Sequence, residues 1–165
     1  MKPYWREADE LLGVLMDTAY RIDDDGIDFS DTNGQVQIFG TNDKTRIQKA
    51  MKDAEPQGSM RTDMRVALGS LFAEYHRKLY ELHRSHQPLR KMTVIVLTDG
   101  LWEGTLEKED VEKNIVDFVQ KVFDIFGTLE ERPVTIQFIQ FGQNSEATSR
   151  LRFLDEGLKP TYGIP

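Results

Sequence analysis

Met92-Thr93-Val94-Ile95-Val96-Leu97-Thr98, followed directly by Asp99-Gly100, is the stretch that decides the fold. A strand with one face in solvent alternates apolar and polar residues. This run is apolar or β-branched throughout, the pattern of a strand covered by helices on both faces, and such strands belong to parallel sheets. It is expected to be a central parallel strand. Parallel strands cannot be joined by a tight turn and need a crossover, usually a helix, so helical patterns should lie on either side.

They do. Downstream, a polar loop from Asp99 to Glu107 leads to a helix that turns Ile115, Phe118, Val119, Val122 and Phe126 inward. Pro133 then opens a second strand, Val134 to Phe141, and Ala147, Leu151, Leu154 and Leu158 mark a last helix. Upstream, Met64, Ala67, Leu68, Leu71, Phe72, Tyr75, Leu79 and Leu82 form one stripe of a long helix ending near Arg84. A short helix is expected over residues 43 to 54, closed by the turn-forming Glu55-Pro56-Gln57-Gly58-Ser59. Ile27-Asp28-Phe29 and Val36-Gln37-Ile38-Phe39, separated by Asn33-Gly34, read as a hairpin. Trp5, Ala8, Leu12, Leu15 and Ala19 line an opening amphipathic helix with Pro3 in its first turn.

The expected fold is therefore α/β: a three-layer, doubly wound, mainly parallel sheet with an antiparallel edge strand and helices on both faces, as one domain over residues 1–165. No strand precedes the first helix, whose apolar face needs a sheet. The chain stops at Tyr162-Gly163-Ile164-Pro165 without a closing element, so a truncated domain is expected.

With 39% hydrophobic and 30% charged residues, the 165-residue chain has the composition of a folded domain able to bury a core. A net charge of −7 and the lack of a dominant Lys/Arg block argue against nucleic acid as partner. No segment approaches the ~20 apolar residues of a membrane helix, and the charged opening MKPYWREADELL is no secretory signal. The absence of cysteine excludes disulfides and thiolate metal sites, and a cytoplasmic location is expected.

Ligands of open parallel sheets sit at the carboxyl ends of strands, which makes Thr98-Asp99-Gly100-Leu101-Trp102 the first candidate site. A carboxylate just after a buried strand, with a Gly that lets the backbone turn closely, suits a hard cation or a catalytic water; it also suits a plain turn cap. Gly58-Ser59-Met60-Arg61-Thr62-Asp63 delivers hydroxyls to the start of the long helix, where they either bind a ligand or cap the helix. Trp102 is placed either to shape a binding surface or to support the loop from inside. Arg61 and Arg65 are suited to steering an acidic partner.

A buried strand ending in Thr98-Asp99-Gly100, preceded by a Gly-Ser-Thr turn opening a long helix, resembles the von Willebrand factor A fold. Thr62-Asp63-Met64-Arg65-Val66-Ala67-Leu68 resembles that family's Thr-x-x-x-x-Ala-Leu helix start, although an ungapped reading from Gly58-Ser59 puts Met60 at the Thr position. The tail, Arg150 to Leu158 with Tyr162-Gly163, is similar to fungal versions of the domain. In that family a DxSxS motif after the first strand, a Thr from a second loop and an Asp from a third hold Mg2+ or Mn2+ at a metal-ion-dependent adhesion site. The resemblance thus implies metal ligation by Asp99 and Thr62, with Ser59, Arg61, Gly100 and Trp102 at the partner-binding surface. No DxSxS occurs in this sequence, and the opening Met1-Lys2-Pro3-Tyr4-Trp5 resembles the family's segment immediately after that motif, so metal binding is expected to be weak or absent in this chain. A missing strand would also leave sheet edges able to drive self-association.

Other chemistry is poorly supported. Asp23-Asp24-Asp25-Gly26 runs into a strand and lacks the twelfth-position acid of a calcium loop. His76, His83 and His86 share a helix with no carboxylate or Cys to complete a zinc set. There is no GxSxG elbow, phosphate-binding loop or GxGxxG. The expected function is a protein-interaction module, not an enzyme, that in complete form binds a partner carboxylate through a divalent metal. The alternatives are a metal-independent scaffold in a larger intracellular protein and, third, a hydrolase using Asp99 with a metal-bound water.

Overall fold

A computed structural model of the chain describes residues 1–22, 26–56, 61–105, 107, 109–130 and 132–164. The protein is mixed α/β, and its elements fall into two compact units, Met1–Thr62 and Asp63–Pro165. The calcium-like run Asp23-Asp24-Asp25 and the residues Ser59 and Met60 lie outside the described residues.

In the first unit a short 3-10 turn, Lys2–Tyr4, leads into α1, Trp5–Ala19. Ala8 and Met16 are buried, Leu12, Leu15 and Ala19 half-buried, as the helical spacing requires. Strands β1 (Ile27–Ser30) and β2 (Gln37–Thr41) pair antiparallel, with Phe29 opposite Ile38 and a bulge between Ile27 and Phe29. The connection is longer than an Asn-Gly turn. Asp31 closes it, its amide donating to Val36 O at 3.1 Å and its carboxylate accepting the Val36 amide at 3.0 Å. Gly26 has φ +85°, and a Cβ there would lie 2.8 Å from Gly40 C, so only glycine fits this close backbone approach. Helix α2, Lys44–Asp53, is capped by Asp43, whose Oδ1 accepts from Thr45 and Arg46 amides. It packs on α1 and β2 through Ile47, Ala50 and Met51, and Lys44 Nζ reaches Asp17 at 2.7 Å.

The second unit contains the elements expected around the deciding stretch: α3 (Met64–Arg84), β3 (Met92–Thr98), α4 (Glu109–Phe126), β4 (Val134–Gln140) and α5 (Ser145–Arg152), which passes through a π-turn at Phe153–Gly157 into α6, Leu158–Tyr162. Strands β3 and β4 run parallel in continuous register, from Met92 opposite Val134 to Thr98 opposite Gln140. The helix α4 is their crossover.

The core follows from the helical spacings. Met64, Leu68, Phe72, Tyr75 and Leu79 of α3 meet Val111, Ile115, Phe118 and Val122 of α4, and the Phe72 and Phe118 rings stack with centroids 4.3 Å apart. Met92, Val94 and Val96 of β3, Val134, Ile136 and Phe138 of β4, and Leu154 and Leu158 complete it. Each such side chain contributes about 1.5–3 kcal/mol of transfer free energy, offset by the entropy of ordering it.

Two expectations need correction. The Met92–Thr98 strand is not covered on both faces: Val96 and Thr98 are buried, but Thr93 is exposed and Ile95 retains 38% of its accessible surface. An apolar run reports that a strand can be covered twice, while the number of layers depends on which helices reach it. The antiparallel pair, moreover, is a sheet of its own and not an edge of the parallel one. Strand pairing is a non-local hydrogen-bond choice that local alternation does not encode. Among the described residues, no helix is long and apolar enough to cross a membrane.

Tyr75 pins the start of the parallel pair. Its hydroxyl lies 2.6 Å from Arg90 O and 2.8 Å from Pro133 O and shares its proton between the chain segments entering β3 and β4. Burial pushes its pKa from 10.0 up to about 12. The folded state therefore favours the neutral phenol; this contribution is full below pH 10 and is lost as pH rises toward about 12. Tyr75→Phe should lower the unfolding free energy at neutral pH by about 1–2 kcal/mol and flatten the decline between pH 10 and 12, measured by urea unfolding across that range.

Candidate functional site

The carboxyl end of β3 is closed by side chains from the strand itself, the loop and α5. Thr98 is 2% exposed, and its Oγ1 accepts two hydrogen bonds, from the Gly100 amide at 2.9 Å and from the Trp102 indole at 3.1 Å. Its carbonyl accepts from the Phe141 amide at 2.8 Å, which extends the parallel ladder one step past the strand. A β-branched residue that ends a strand and carries a hydroxyl can thus hold both the chain turn and the ring beyond it.

Gly100 turns the chain at φ +74°, and a Cβ at this position would lie 2.5 Å from Ala147 Cβ. Both the left-handed backbone and the contact with α5 require glycine. Helix α5 begins at the Asn144 cap, whose side chain accepts from the Ala147 amide at 3.0 Å, and one turn later it presents Arg150. The Arg150 guanidinium donates to Gly100 O at 2.7 Å and lies 5.1 Å from the centroid of the Trp102 ring. Glu146, on the same helix, approaches it at 3.8 Å.

Asp99 is half-buried, and its Oδ1 accepts the Leu101 amide at 3.1 Å, the geometry of a side chain capping its own turn. Leu101 is 42% exposed beside it. Farther along, Thr105 Oγ1 accepts the Met64 amide at 3.3 Å, at the first turn of α3. Asp63 caps that helix by accepting from Val66 at 3.2 Å, and Arg65 bridges Asp63 and Asp110 at 3.6 and 3.8 Å.

The residues singled out from sequence are thus distributed between the two units. Asp99, Gly100 and Trp102 form one loop in the second unit. Arg61, which is exposed, and Thr62, half-buried, end the first unit, and Ser59 is outside the described residues. Trp102 takes the inward of its two alternatives: it is 6% exposed and packs near Phe138. Asp63, Asp43 and Asn144 act as helix caps. Among the described residues no group of three or more His, Cys, Asp or Glu is placed to hold a metal ion. His83 packs edge-on against Phe126 with centroids 5.6 Å apart.

Sequence reading missed the hydroxyl of Thr98, the seat provided by Ala147 and the role of Arg150. A Thr directly before Asp-Gly was a signal for the first. Nothing in the local pattern marks Arg150, which lies 50 residues from its acceptor Gly100. Comparison with protein-family models, curated proteins and solved structures finds no match.

Because Thr98 satisfies two donors, Thr98→Val should cost about 1–3 kcal/mol through the donors it leaves unpaired, whereas Thr98→Ser, which keeps the oxygen, should cost less. Urea unfolding followed by tryptophan emission checks this: a larger loss in Thr98→Ser than in Thr98→Val would mean that the methyl, and not the hydroxyl, holds the loop.

Proposed function

We propose that this chain is a protein-interaction module of the von Willebrand factor A type, docking a protein ligand on the loop that leaves β3. The supporting observation is that loop: it sits at the carboxyl end of a parallel strand, it is tied down by Thr98, Ala147 and Arg150, and it carries Asp99 and Leu101 at its accessible side. In this reading the protein works inside the cell.

A divalent ion at Asp99, Mg2+ or Mn2+, would link the loop to a partner carboxylate. The donor set is thin. Asp99 offers a carboxylate already engaged by the Leu101 amide, and Thr62 is the hydroxyl that the resemblance adds. A hard cation takes about six oxygens, so water would have to supply most of the shell and affinity should be millimolar or weaker, roughly. Mn2+ titration by calorimetry, with Asp99→Ala alongside, tests the metal. Weak heat lost in the variant supports it; no heat in either protein leaves the metal-free form of the module.

That second form is favoured by the Asp99–Leu101 hydrogen bond, since a turn-capping carboxylate needs no cation. In it the loop and helices present a metal-independent scaffold surface, and Asp99→Ala loosens the turn without altering any response to Mn2+.

Self-association through the sheet is part of the same proposal. Among the described residues β3 pairs with β4 alone, which makes this uncharged seven-residue strand an edge of the kind that recruits further strands, with Ile95 exposed on it. Sedimentation velocity should show concentration-dependent association that Ile95→Lys reduces; a monomer at all concentrations would count against it.

A further inference from the structure

We infer that Arg150 is the positioning residue of the Asp99 loop, fixing the orientation in which Asp99 and Leu101 face a ligand. This rests on the reading of that loop as the docking surface and adds the residue from another element that sets its shape. Three contacts converge from α5. Ala147 fills the space above Gly100, the Arg150 guanidinium donates to Gly100 O at 2.7 Å, and its central carbon lies over the Trp102 ring at 5.1 Å.

The carbonyl of Gly100 lies in the peptide plane that joins Gly100 to Leu101, so whatever holds it sets that plane, while the Gly100 amide bound to Thr98 sets the plane on the Asp99 side. Gly100 itself contributes no stiffness, because glycine loses more conformational freedom on ordering than any other residue. The loop's own hydrogen bonds, Thr98 to Gly100 and Asp99 to Leu101, span two residues each and fix local turns only. Arg150 adds a hydrogen bond from 50 residues away at Gly100 itself. A guanidinium suits the place because one planar group can stack on an indole and donate in its own plane to a carbonyl; an ammonium is a compact point charge without that fork. With 19% of its side chain exposed, Arg150 lies behind the loop and acts through Gly100 and Trp102, not through direct contact with a ligand.

The test uses the full chain. Its two tryptophans are Trp5 and Trp102, so a Trp5→Phe background makes emission report Trp102 alone. Arg150→Met keeps the apolar stem and removes the guanidinium, and Arg150→Lys keeps a cation and a donor. Amide exchange at Gly100 and Leu101 is compared with that at Leu68 and Phe118 in the α3 and α4 core. The expected result for Arg150→Met is exchange about tenfold or more faster at Gly100 and Leu101, core amides within about twofold of the unsubstituted chain, and a red shift of Trp102 emission. Arg150→Lys should return part of the protection. Unchanged loop exchange in Arg150→Met, loop and core rates rising in step, or Arg150→Lys behaving like Arg150→Met would overturn the inference. Paramagnetic broadening of the same two amides by Mn2+ tests the metal reading separately. Its absence in the unsubstituted chain counts against the metal and leaves the exchange rates to decide Arg150.

Discussion

Parallel pairing of β3 with β4 is the constraint on which the second unit depends. Two parallel strands must be joined by a crossover, and the crossover helix has to lie on the sheet to bury its own apolar stripe. Val94, Val96, Ile136 and Phe138 join one cluster with the stripes of α3 and α4, whose Phe72 and Phe118 rings stack. Tyr75 ties the entry ends of both strands together through the Arg90 and Pro133 carbonyls. The strands are aligned at one end by a hydrogen bond and along their length by packing. Their carboxyl ends are left level, and there the polypeptide can be shaped for a task.

How that end is shaped explains why a polar loop can be well defined. Thr98 brings a hydroxyl into a buried position, where leaving it unpaired would be costly, and it meets two donors. Gly100 permits a turn that no other residue would permit so close to Ala147. Trp102 then folds back inward and offers its ring to Arg150. Each member of the set is explained by another. The result is a loop whose half-buried Asp99 and exposed Leu101 are carried on buried supports.

Charge gives the loop a definite character. Asp99, Glu103, Glu107, Glu109 and Asp110 fall close together in the sequence of a chain of net charge −7. An acidic partner would meet repulsion unless a cation stood between, which is the physical content of a metal-bridged mode. A metal-free mode would rely instead on the apolar Leu101 and on the shape that Arg150 and Thr98 impose.

The sequence by itself determined the elements and their order. The stripe from Met64 to Leu79, the apolar run of β3 and the spacing of Ile115, Phe118 and Val122 are local patterns, and local periodicity is set by backbone geometry alone. It also marked Asp99-Gly100 as a turn at a strand end. Only the tertiary structure decided that β3 is covered on one face, that the hairpin forms its own sheet, that Trp102 points inward, and that Arg150 holds a carbonyl 50 residues away. Those facts depend on which surfaces meet across long stretches of chain, and no period in the sequence records such a meeting.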